Sequence, residues 1–132
     1  MISFKLYVTG EKALDFVQHI TINDASKLFP GRVQYSAMCY PDGGIVDDLL
    51  VYKISDKEFL LVINASNIDK DFSWMKENNK FGVTLNNRSD EFSLLAVQGP
   101  NSGEILKKLV PNMPELEYYH FTKGKVAGID MI

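Results

Sequence analysis

The stretch VQYSAMCYPDGGIVDDLLVYKI, residues 33–54, decides how this chain is read. Val33–Tyr40 and Ile45–Ile54 are rich in aliphatic, β-branched and aromatic residues, which suit a pleated, half-buried surface. Between them, Pro41-Asp42-Gly43-Gly44 supplies a preset φ, a side chain that bonds its own backbone, and glycines free to take positive φ. Two such runs around such a turn predict a β-hairpin. Successive side chains of a strand point to opposite faces. The second strand therefore sorts into Ile45, Asp47, Leu49 and Val51 on one face, and Val46, Asp48, Leu50 and Tyr52 on the other. One aspartate should meet water, and the other whatever the strand packs against.

Working outward, Ser3–Gly10 alternates loosely and ends at a glycine, so it reads as a strand. Ala13, Leu14, Val17 and Ile20, with Phe16 beside them, have helical spacing over residues 11–20. Residues 21–32 read as a loop, with Asn23-Asp24 turning or capping the backbone and Pro30-Gly31 as punctuation. Glu58–Asn64 reads as a third hairpin-connected strand after a Ser55-Asp56-Lys57 turn. Ile68, Phe72 and Met75 place a helix over residues 64–82, with Trp74 beside that face and polar residues available to cap its start. Val83–Ser89 and Glu91–Pro100 read as two further strands joined at Ser89-Asp90. Gly99-Pro100 leads into a helix over residues 101–110, and residues 117–132 close the chain with strand-like pieces. Hairpin connections with interspersed helices predict an α+β fold, a mixed or antiparallel sheet carrying two to three packed helices.

Composition narrows the function classes. A chain of 132 residues suits a single domain. Its net charge of −3 argues against a nucleic-acid surface, which normally carries a basic excess. Its apolar runs are too short for a membrane span, and its start has no signal-peptide pattern. The single cysteine, Cys39, excludes an internal disulfide and points to a reducing, cytoplasmic compartment; in a strand it reads as a small buried hydrophobe. His19 and His120 lie far apart with no paired-ligand spacing, so no metal site is expected. The motifs of acyl hydrolases, P-loops and dinucleotide folds are absent.

What stands out is the carboxylate pair beside Tyr35, Tyr40 and Tyr52. Asp48 shares a face with Tyr52, and Tyr35 on the partner strand can reach the same face. A carboxylate among phenols can accept hydrogen bonds from them or from a ligand N–H, which suits a flat, nitrogen-rich ligand. Composition alone favours the plainer reading, in which both aspartates are solvated residues near a turn.

Three segments, residues 20–52 (ITINDASKLFPGRVQYSAMCYPDGGIVDDLLVY), 59–75 (FLLVINASNIDKDFSWM) and 93–102 (SLLAVQGPNS), together resemble the aminomethyltransferase (T-protein) of the glycine cleavage system. YYHFTKGKVAGI, residues 118–129, continues the resemblance in collinear order. It implies a tetrahydrofolate-binding enzyme. Such an enzyme takes the aminomethyl group carried on the lipoyl arm of the H-protein, releases ammonia and forms 5,10-methylenetetrahydrofolate. It further implies that Asp48, the second acid of GGIVDDL, is the catalytic residue. Tyr35, Asp48, Tyr52 and Asn64 are implied to line the folate cavity. Asp47 is left as a structural or solvated neighbour.

The resemblance also implies that residues 1–132 form a single partial folate-binding domain, lacking an N-terminal segment, a Gly- and Glu-rich second half and a C-terminal barrel. By itself such a piece should be inactive, bind folate weakly or not at all, and self-associate through exposed sheet edges and apolar surface. Related alternatives are the folate domains of sarcosine and dimethylglycine dehydrogenases, a sulfoniopropionate demethylase and an iron–sulfur assembly factor. A non-catalytic binding domain is another.

Overall fold

The structure is a computed structural model that describes residues 3–132, without the side chain of Ser3. Its contacts divide it into two compact units, Met1–Leu94 and Leu95–Ile132. The first unit is built on strands β1 (Ser3–Thr9), β2 (Val33–Cys39), β3 (Ile45–Ser55), β4 (Glu58–Asn64) and β5 (Thr84–Asn87). They form one sheet in the order β2-β3-β4-β1-β5, with every neighbouring pair antiparallel. Helices α1 (Ala13–Ile20) and α2 (Ile68–Glu77) belong to the same unit, so the architecture is α+β.

The central hairpin forms as its turn residues require. Gly43 N–H donates to the Tyr40 carbonyl at 2.9 Å and Tyr40 N–H to the Gly44 carbonyl at 2.7 Å, with Gly43 at φ +90°. That left-handed conformation favours glycine at this position. Asp42 accepts from Gly44 N–H at 2.9 Å and closes the loop. A register shift after Met38 brings Cys39 opposite Ile45, and Cys39 is half-buried rather than enclosed.

Strand alternation then separates two faces. Phe4, Leu6 and Val8 of β1, Leu49 and Val51 of β3, and Phe59, Leu61 and Ile63 of β4 are buried on the inner face. With them in one core lie Ala13, Phe16, Val17 and Ile20 of α1 and Met75 of α2, while Ile68, Phe72 and Trp74 pack against it. Thr21 ends α1, its hydroxyl donating to the Val17 carbonyl at 2.8 Å. Asp24 accepts from Ser26 N–H at 3.1 Å and caps a short 3₁₀ turn, Ala25–Lys27, inside the expected loop.

The outer face is covered at its β1 end by residues 88–92. There Phe92 stacks on Tyr7 with ring centroids 6.1 Å apart. The Arg88 guanidinium, paired with Glu91, lies 4.9 Å from the Tyr7 ring centroid. Lys5 is tied in through Ser89 Oγ and the Phe92 carbonyl.

Two sequence expectations are corrected. Residues 91–100 are not a strand: a 3₁₀ turn, Ser89–Glu91, is followed by irregular chain, exposed from Ser93 to Pro100. Hydrophobic content alone cannot make a strand without a ladder partner, and among the described residues none pairs with this segment. The polar residues ahead of α2 do not cap it with their side chains. Asn64 and Asn67 are turned toward the carboxylates of β3 instead.

The second unit holds helix α3 (Ser102–Leu109) and a hairpin of β6 (Gly124–Val126) and β7 (Ile129–Met131). Ala127 and Gly128, both at positive φ, make its two-residue turn. Lys125 faces Asp130 across the pair, 2.8 Å apart.

Candidate functional site

The site grows out of one property of β3, the neighbouring acids at 47 and 48. Asp48 lies on the outer face and Asp47 on the inner one, only 8% exposed. The reading of both aspartates as solvated fails at Asp47, because the carboxylate has enough partners to be buried. Asn64 donates to Asp47 Oδ1 at 3.0 Å, the backbone N–H of Asp48 to the same oxygen at 3.0 Å, and Asn67 to Oδ2 at 3.1 Å. Burial opposes ionisation of Asp47, but these donors and a bond with Asp71 outweigh it and hold the carboxyl below the usual aspartate range.

Asp71 completes the inner cluster. It sits one helical turn after Asn67 on α2, its side chain is fully buried, and neither carboxyl oxygen receives a donor among the described residues. Lys70 Nζ stays 3.6 Å away and is engaged with the Val46 carbonyl at 2.6 Å. Burial, with the adjoining Asp47 charge, pushes Asp71 up to about 7. Below about pH 7 that shift favours one proton on the pair, on Asp71 rather than Asp47.

Asp48 faces the other way. Its Oδ2 accepts the Tyr35 hydroxyl at 2.7 Å and its Oδ1 the Asn64 amide at 2.7 Å. Each oxygen has room for one further donor, since a carboxylate offers about four acceptor positions. The carboxylate lies in an open depression of about 260 Å³, whose lining includes Tyr35, Asp48, Leu50, Val62, Asn64 and Leu94. The depression combines apolar walls with one oriented acceptor group, the usual composition of a small-molecule site.

Of the four residues singled out in the sequence, the structure brings Tyr35, Asp48 and Asn64 into one hydrogen-bonded set. Tyr52 shares the outer face, but it lies four residues along β3, about 13 Å from Asp48 at about 3.3 Å per residue, and does not line the depression. Sequence reasoning missed Asn67 and Asp71. Asp71 did leave a trace: it stands between Ile68 and Met75 at core spacing on α2, where an acid is out of place.

Comparison with known proteins supplies the family. The model of the GCVT N-terminal domain matches residues 3–132. The chain belongs to the GCVT family. Among curated relatives, the aminomethyltransferase of Thermosipho melanesiensis is 49% identical over 130 residues, covering 97% of this chain and 36% of the relative. That of Flavobacterium psychrophilum is 46% identical over 126 residues, covering 95% and 35%. That of Bacillus subtilis reaches 58% over 102 residues, covering 77% and 28%. The crystal structure of glycine cleavage system aminomethyltransferase T from Bartonella henselae superposes with a TM-score of 0.78 at 25% identity, over 89% of this chain and 32% of that one. The GCVT chain thus spans about a third of the length of these relatives. No helix among its described residues is long and apolar enough to cross a membrane.

Proposed function

We propose that this GCVT chain carries the one-carbon transfer site of a glycine-cleavage aminomethyltransferase. The substrates would be the aminomethyl group on a lipoylated H-protein and, as acceptor, tetrahydrofolate. In this reading its 132 residues are part of a folate-binding domain, in a cytoplasmic enzyme of glycine catabolism. The names of its relatives support aminomethyl transfer over the dehydrogenase-associated and iron–sulfur-assembly alternatives.

The observation that carries the proposal is the Asp48 carboxylate, held by Tyr35 and Asn64 in the lining of a mostly apolar depression. The donor set fits a folate. Leu50, Val62 and Leu94 offer flat apolar contact to a ring system, Tyr35 an aromatic rim, and Asp48 two unused acceptor positions for ligand N–H groups. Tyr52 would extend the aromatic wall along the same face. When bound, the folate supplies the nucleophilic nitrogens that accept the one-carbon unit.

Asp48 would orient the reacting nitrogen and place a fixed negative charge beside the positive charge that develops during transfer. It would also take up or return a proton as ammonia leaves. Tyr35 and Asn64 would keep it from rotating, so little reorganisation accompanies the charge change.

Asp48→Asn tests this in an intact aminomethyltransferase carrying the chain. The expected outcome is a loss of about 10²–10³ in turnover, the scale of removing one preorganised electrostatic partner, with the melting temperature essentially unchanged. Turnover at the wild-type rate would exclude Asp48 from this role. The chain alone is expected to show no transfer, because its depression is one open wall rather than an enclosed cavity.

A further inference from the structure

The Asp47–Asp71 pair is not used by the chemistry proposed above, yet it adjoins that site through a single side chain. The Asn64 amide group donates to Asp47 Oδ1 at 3.0 Å on one side and to Asp48 Oδ1 at 2.7 Å on the other. Asp47 in turn has three donors in place, from Asn64, Asn67 and the Asp48 backbone. About four acceptor positions are available on a carboxylate, so one remains for Asp71. Asp71, one helical turn after the Asn67 that donates to Asp47, is fully buried with no donor to either oxygen, and a proton on Asp71 would let it donate to that remaining position.

We propose that Asp71 is a positioning residue for this site: the proton it holds against Asp47 fixes the Asn64 amide and, through it, the carboxylate of Asp48. The consequence for catalysis rests on the aminomethyltransferase reading; the coupling itself does not. The charged groups acting on Asp71 are Asp47 from β3 and Lys70 from α2 itself. When Asp71 ionises, two negative charges face each other in a buried space. The Asn64 amide is then drawn toward the pair, and its hold on Asp48 weakens. The direction of the Asp71 shift, upward toward neutrality, puts that change in a range that solution measurements can scan.

The test is a pH titration of the ligand-free 132-residue chain by nuclear magnetic resonance, following the side-chain carboxyl carbons of Asp47, Asp48 and Asp71 and the side-chain amide of Asn64. The expected result is one near-neutral inflection with a common midpoint at Asp71, Asn64 and Asp48. In Asp71→Asn, which retains an N–H donor to Asp47 but has no proton to lose, that inflection disappears from Asn64 and Asp48. Flat Asn64 and Asp48 signals while Asp71 titrates would overturn the proposal and leave Asp71 a purely structural acid. Persistence of the inflection in Asp71→Asn would overturn it equally. Should that variant fail to fold, the wild-type titration decides alone. No folate is present, so a failure of folate binding would count against the proposed function and not against this coupling.

Discussion

The inner and outer faces of the five-stranded sheet are made from alternate residues of the same strands, and they end in opposite conditions. The inner face is closed by α1 and α2 around Phe4, Leu61, Ile63 and Val51. Within the first unit, Phe92 and Arg88 close the outer face toward β1, and the described residues around Tyr35 and Asp48 line an open depression. Each face has one aspartate of the 47–48 pair. On the closed face the acid needs three donors and a proton-bearing neighbour to be buried at all. On the open face the acid keeps acceptor capacity in reserve. A carboxylate whose partners are all internal holds structure together; one left with unused positions is available to a ligand.

The sharpest way to break this contrast is to truncate both faces. Phe59→Ala, on the inner face and fully buried, should cost about 3–5 kcal/mol. Leu50→Ala, on the half-exposed outer face, should cost about 1 kcal/mol. Urea denaturation measures both, and equal losses would mean that the outer face is as closed as the inner one.

A smaller effect should come from the buried acids. Asp71 titrates higher in the folded chain than in the unfolded one, so the folded state holds the extra proton between about pH 4 and pH 7. This group's contribution to stability therefore falls as pH rises through that window and is level above it. The full separation corresponds to at most about 4 kcal/mol, at about 1.4 kcal/mol per unit. Asp47 is displaced downward, so its contribution is present above the ordinary aspartate range and is lost as pH falls below it. Denaturation at pH 4.5, 6 and 8 should show a decline in the wild type that Asp71→Asn flattens. Parallel pH profiles for the two proteins would show that Asp71 does not carry the shared proton.

The smallest effect belongs to the outer rim. Tyr35 is 52% exposed, so Tyr35→Phe should leave stability within about 0.5 kcal/mol. It removes one donor to Asp48, and in an intact aminomethyltransferase tetrahydrofolate affinity should fall by about 5- to 10-fold, the worth of about one hydrogen bond. Calorimetric titration reads it, and unchanged affinity would take the phenol out of the binding set.

Much of this was legible along the chain. The hairpin of β2 and β3, the α1 helix and the separation of Asp47 from Asp48 follow from turn residues and periodicity, which are local properties. Residues 91–100 misled because their apolar content resembles a strand, and content says nothing about a partner. The polar residues ahead of α2 misled because such residues normally cap a helix, and here Asn67 donates to Asp47 instead. Asp71 was overlooked because a single acid at a core position of a helix has no local explanation.

By itself, then, the chain's order of residues determined the α+β class, the central hairpin and the separation of the two acids onto opposite faces, because strand and helix periods are set by backbone geometry. Only the tertiary structure decided that Asp47 is buried, that Asn64 bridges the two carboxylates, and that Asp71 meets Asp47 from a helix 24 positions later. Those contacts depend on how α2 packs on the sheet, and a proton shared between distant residues has no signature in either one's neighbours along the chain.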